Sequence, residues 1–184
     1  MITILSLWLP ILLSAMVVFL ASMIVWPTLH RSDYKGLPDE EAAVKALRPQ
    51  NLKPGMYNIP NIPTRADLKK PEVIKKFEEG PIGFLTVLPR GVPEMGKNLM
   101  LSFLYYLSIG IMVAYVASRT LSVGAEYLDV FRITGTVAWL AYGMAVIPEA
   151  IWFGRPWSAV SKTLIDALIY GLLTAGVFGW LWPN

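Results

Sequence analysis

The densest chemistry in the chain lies at residues 148–166. Glu149, Arg155, Lys162 and Asp166 fall there among two prolines and two tryptophans, while the flanks are almost purely apolar. Charges beside long apolar runs are costly unless they are paired or kept at a membrane interface. Lys162 and Asp166 are one turn apart on a helix and share a face. Glu149 continues a row of small residues at four-residue spacing, Ala141 and Ala145 before it, and so is expected to point inward. The four groups form a candidate ionic clamp, since buried charges need partners. With Arg155 and Lys162 as cations, an anionic headgroup site is the alternative. Tyr142 and Tyr170 lie near the same rows and are candidates for added hydrogen bonds.

Other chemistry is thin. The chain has no cysteine and one histidine. Thiolate nucleophiles, disulfides, iron–sulfur clusters, bis-His haem and a two-His metal site are excluded within one chain. His30, just past the first apolar run and beside Arg31, Asp33 and Tyr34, reads as an interfacial hydrogen-bonding residue. The segment 91–97 has the Gly91 and Gly96-Lys97 spacing of a phosphate loop. Asn98 stands where Ser or Thr would ligate magnesium, so nucleotide binding is not expected. No nucleophile–base signature is present. The expectation is therefore a non-enzyme with no catalytic residue, no metal and no cofactor.

These groups are positioned by four apolar runs, 4–25, 99–117, 133–152 and 163–182. Each is about long enough to cross a ~30 Å hydrocarbon layer at ~1.5 Å per residue. Of 184 residues, 55% are hydrophobic and mean hydropathy is +0.51, above the ~45–50% of soluble domains. The first run has no basic residue ahead of it and is too long for a secretory h-region, so it reads as a retained span. The fold class expected is an all-α membrane protein. Residues 1–26 give the first transmembrane helix, 27–96 a small mixed insert, and 97–184 transmembrane helices two to four.

Orientation follows from Lys and Arg near the span ends. Arg31, Lys35, Lys45, Arg90, Lys97, Arg155 and Lys162 lie on one side, against only Arg119 and Arg132 on the other. The expectation is an inner cell membrane, with 27–96 cytoplasmic and both termini outside. Trp26, Trp152 and Trp157 would then form the inner aromatic belt, with Trp180 and Trp182 at the outer one.

The insert holds ten of the fourteen prolines, which limits it to short elements. Leu37-Pro38-Asp39-Glu40-Glu41 predicts a helix start that ends before Pro49. Pro71 predicts a second helix, closed by Gly80. Residues 56–59 and 83–88 read as extended stretches able to pair as a ribbon. Lys69, Lys70, Lys75 and Lys76 are a solvated helix face or a contact to anionic lipid. The net charge of +3 is too small and too dispersed for nucleic-acid binding.

Small residues repeat every four positions, the spacing that lets membrane helices approach closely. Ala167, Gly171, Ala175 and Gly179 mark the last span; Gly110 and Ala114 mark the second. Such rows bundle the chain on itself, or offer one face, expected to be that of the last helix, to another subunit. The partners expected are membrane lipids and a second copy or other membrane subunits. The functional expectation is a non-enzymatic membrane scaffold, self-assembling or accessory to a complex. A small transporter or channel gated at the inner end of helices three and four is the alternative, followed by a lipid-binding or lipid-modifying enzyme.

Overall fold

The computed structural model describes residues 2–184. Thr3 caps a 3-10 turn, Ile4–Leu7, that runs directly into helix α1, Trp8–Leu29. Pro10 falls in the first turn of α1, where a missing N–H costs nothing. The other long helices are α4, Met95–Thr120; α5, Tyr127–Gly143; and α7, Trp157–Trp180. Pro148 lacks a donor and its ring crowds the carbonyl one turn back. The helix following α5 accordingly tightens into a 3-10 turn at Met144–Val146 before resuming as α6, Ile147–Phe153. Gly154 then turns the chain with φ 68°, a conformation that glycine adopts without penalty.

Four helical stretches are long and apolar enough to cross a membrane: Ile4–Leu29, Met95–Thr120, Tyr127–Phe153 and Trp157–Trp180. The chain is mostly helical and has the character of an all-α membrane protein. Leu20, Ile24, Met112 and Leu172 are exposed on the outside of the bundle, where lipid would meet them.

The spans form a closed ring. α1 packs on α4 and α7, and α5 packs on α4 and α7, with α5 and α7 the most extensive pair. Small residues set these approaches. A Cβ added at Gly110 would stand 3.2 Å from the carbonyl oxygen of Ile11 on α1. One added at Gly171 would meet the Gly135 carbonyl and Trp139 on α5 at 3.2 Å, and one at Gly179 would meet the Tyr127 ring at 2.7 Å. Ala175 and Ala114 are fully buried. The row on α7 is thus occupied by α5 of the same chain. Of the two readings of this row, bundling of the chain on itself is the one that its contacts follow, because α5 fills the space beside Gly171 and Gly179.

A second unit covers residues 35–93. It is shorter than the polar segment 27–96, because α1 continues to Leu29 and residues 30–33 are held against α7. Asp39 caps α2, Glu40–Leu47, by accepting from the Ala42 amide. Pro71 opens α3, Pro71–Glu79, and Gly80 closes it at φ 63°. Strand β1, Gly55–Ile59, pairs antiparallel with β2, Gly83–Val87, with Tyr57 opposite Leu85.

Candidate functional site: a buried histidine–carboxylate clamp

At the end of α1 the chain turns through Ser32 and Asp33, and its His30 ring is buried against α7. Its own segment supplies two neighbours: Trp26, one turn back on α1, stacks on the imidazole with centroids 5.7 Å apart and planes 20° apart. Asp33, three residues on, places Oδ2 2.6 Å from His30 Nδ1. From α7, Asp166 places Oδ2 2.8 Å from His30 Nε2. One turn earlier on α7, Lys162 donates to Asp33 Oδ1 at 2.5 Å and to Ser32 Oγ at 2.9 Å. Spacing of four on α7 and of three after α1 thus aligns two short charged pairs that interlock across the helix contact.

Proton counting defines the state of this cluster. A neutral imidazole has one N–H and one acceptor nitrogen. Here both nitrogens face carboxylate oxygens, so two protons lie between the ring and its acceptors. Every charged side chain of the cluster thus has a partner within it. His30 and Asp166 are only 4% and 5% exposed, and that pairing is what makes such burial tolerable. The Lys162 ammonium hydrogen bond, aided by His30, holds the Asp33 carboxyl below its usual range, against the opposing effect of burial.

Glu149 and Arg155 stand apart from this group. Arg155 bonds Glu149 at 2.7 Å and Thr163 Oγ1 at 3.1 Å, and the Glu149 side chain is half exposed. The four residues singled out from the sequence are therefore divided. Glu149 and Arg155 form a surface pair that fastens the 154–156 turn. Lys162, partly exposed, and Asp166, buried, belong to the clamp and reach each other only through Asp33 and His30. Both cations already hold carboxylates, which weakens an anion site built on them. An open cleft of about 280 Å³ separates the two groups, walled by Trp26, His30, Asp33, Glu149 and Arg155.

Comparison with known protein families, with curated proteins and with solved structures returns no match. The chemistry of the site therefore rests on its geometry. His30, Asp33 and Asp166 do not converge on a point, because the carboxylates approach opposite sides of the ring. Among the described residues no three His, Cys, Asp or Glu side chains are placed to hold a metal ion.

Behind the cluster, Asp166 Oδ1 is buried with no hydrogen-bond partner. Tyr170, one turn on, meets Tyr142 of α5 and Tyr106 of α4 edge to face at 5.7 and 6.1 Å. Tyr142 and Tyr170 contribute these ring contacts rather than hydrogen bonds to the charged groups. Beyond them the interior carries no charge: Leu7, Val113, Val130 and Phe178 have no exposure, and its buried polar side chains are the hydroxyls of Ser14, Ser118, Thr134 and Thr174.

His30 and Asp33 are the members of the site that sequence reasoning did not join to Lys162 and Asp166. A signal existed in the i, i+3 spacing of His30 and Asp33 beside the i, i+4 spacing of Lys162 and Asp166.

Proposed function

We propose that this chain is a non-enzymatic integral membrane scaffold, acting as a self-assembling or accessory subunit of a membrane complex. The bundle is its anchor, and the unit at 35–93 is what it presents. The observation that carries this reading is the clamp itself. Its side chains pair with one another across α1 and α7, which suits a lock between helices better than a site awaiting a charged substrate. The Lys and Arg distribution supports placing 27–96 in the cytoplasm and both termini outside, in the inner cell membrane. Because the α7 row is filled by α5, assembly contacts are assigned to other surfaces.

The test is purification of the full chain from native membranes after mild crosslinking. The reading expects a fixed stoichiometry, with itself or with other membrane subunits. A lone monomer at every crosslinker dose would overturn it. The orphaned Asp166 Oδ1 beside the tyrosines favours a second reading, a proton-coupled transporter. Proteoliposomes separate the two: the scaffold reading expects no proton flux, whereas flux abolished by Asp166→Asn would establish the transporter.

A further inference from the structure

Residues 35–93 fold without an interior. None of them is buried, although the segment forms two helices and a paired ribbon. Leu68, Ile74, Ile82, Phe84 and Leu88 are 44–71% exposed. A unit this small normally hides such side chains or gains a staple, and the chain has no cysteine. Its net charge is positive, although α3 itself carries Glu72, Glu78 and Glu79 beside Lys75 and Lys76. The unit carries ten Lys and Arg against seven Asp and Glu, so it holds the whole net charge of +3, while the bundle residues are balanced. On α3, Val73, Ile74 and Phe77 share one face, and Lys69 and Lys76 lie close by. Lys70 and Lys75 are engaged by Asp67 and Glu79; Lys69 and Lys76 make no ion pair among the described residues.

We propose that α3 and β2 dock on the surface of an anionic lipid bilayer, with Ile74, Ile82 and Leu88 entering the headgroup layer and Lys69 and Lys76 meeting lipid phosphates. Connectivity supplies the occupant. Six bonds of chain separate Leu29, the end of α1, from Lys35, and two separate Pro93 from Met95, the start of α4. At ~3.4 Å per residue neither end of the unit can leave a membrane that holds those helices by more than about 20 Å. Apolar side chains flanked by lysines match that surface, and a free phosphate would leave the apolar group uncovered. The inference is independent of the scaffold reading, since either a scaffold or a transporter could rest this unit on lipid.

The test is hydrogen exchange of the full chain in nanodiscs of phosphatidylcholine alone and of a phosphatidylcholine–phosphatidylglycerol mixture. Amides of 71–88 should exchange about tenfold more slowly in the anionic discs. The charge-reversed double variant Lys69→Glu/Lys76→Glu should lose that protection, because each lysine near an anionic surface is worth about fivefold. Both lysines are exposed, so this variant keeps the fold. Ile74→Asp should lose protection in the same way. Equal exchange in the two lipids, or protection that arises only when another protein is added, would overturn the proposal.

Discussion

The two ends of the helix ring are closed by opposite chemistry. At the end holding the termini, Ile2, Leu7 and Trp182 join an apolar cluster with Val113, Val130 and Phe178. Two hydrogen bonds also close it: the Gly124 amide donates to the Pro183 carbonyl, and Trp182 Nε1 donates to that of Ser122, both at 2.9 Å. At the other end, α1 and α7 are joined by His30, Asp33, Lys162 and Asp166. Lipid is as apolar as leucine, so the apolar end is held chiefly by close packing, with those two bonds tying the C-terminus to the 122–124 turn. Packing can be trimmed by degrees and carries no information about partners. A charge cluster works differently: each member is costly without the others, so it fixes one register of α1 against α7.

The largest expected effect breaks the charged end. Asp166→Leu leaves the buried His30 ring without its partner and should destabilise the full chain by about 3–5 kcal/mol, the cost of breaking a buried pair. The double variant His30→Leu/Asp166→Leu should recover much of that loss. Thermal unfolding in detergent measures both, and additive losses would dismiss the coupling. At the apolar end, Phe178→Ala should cost about 3 kcal/mol through lost packing, with no dependence on pH across the acidic range.

Gly171→Leu sharpens the comparison midway along the bundle. The added side chain would push Trp139 and the α5 backbone apart, costing about 1–3 kcal/mol. The same unfolding measurement should detect this while the assembly size stays unchanged. Loss of assembly with undiminished stability would return the α7 row to an intersubunit role.

Acid should act on one end only. Asp33 is lowered in the folded chain, chiefly by its bond to Lys162. Its contribution is therefore complete above the ordinary carboxylate range and is lost as pH falls through the lower, folded value. The stability gap between the wild type and Asp33→Asn should hold down to about pH 5 and close progressively below it. The smallest effect is reserved for the surface pair: Glu149→Gln should change stability by about 0–1 kcal/mol, although its residue was as prominent in the sequence as Asp166.

That last contrast shows what was legible beforehand. The four spans, the capped helices after Asp39 and Pro71, and the ribbon could be read because composition, caps and turns are local. The small-residue rows announced close approach, yet nothing in their spacing says whether α5 or another chain fills them. The clamp was half visible. Lys162 and Asp166 stood out as charges in an apolar run, but His30 looked interfacial because it follows the end of the first span. Its bond to Asp166 joins residues 136 apart and exists only because the ring closes α1 on α7. Sequence spacing can align charges along one helix; which helix comes to meet them is decided by packing.

The chain contains one histidine, so its imidazole can be observed without ambiguity. Nitrogen NMR of histidine-labelled full-length protein in bilayers tests the clamp most directly. The account predicts that both ring nitrogens carry a proton in a hydrogen bond to carboxylate, and that Asp166→Asn shifts Nε2 while leaving the Nδ1 contact to Asp33. A single-proton tautomer in free exchange with water, unaffected by Asp166→Asn, would contradict it.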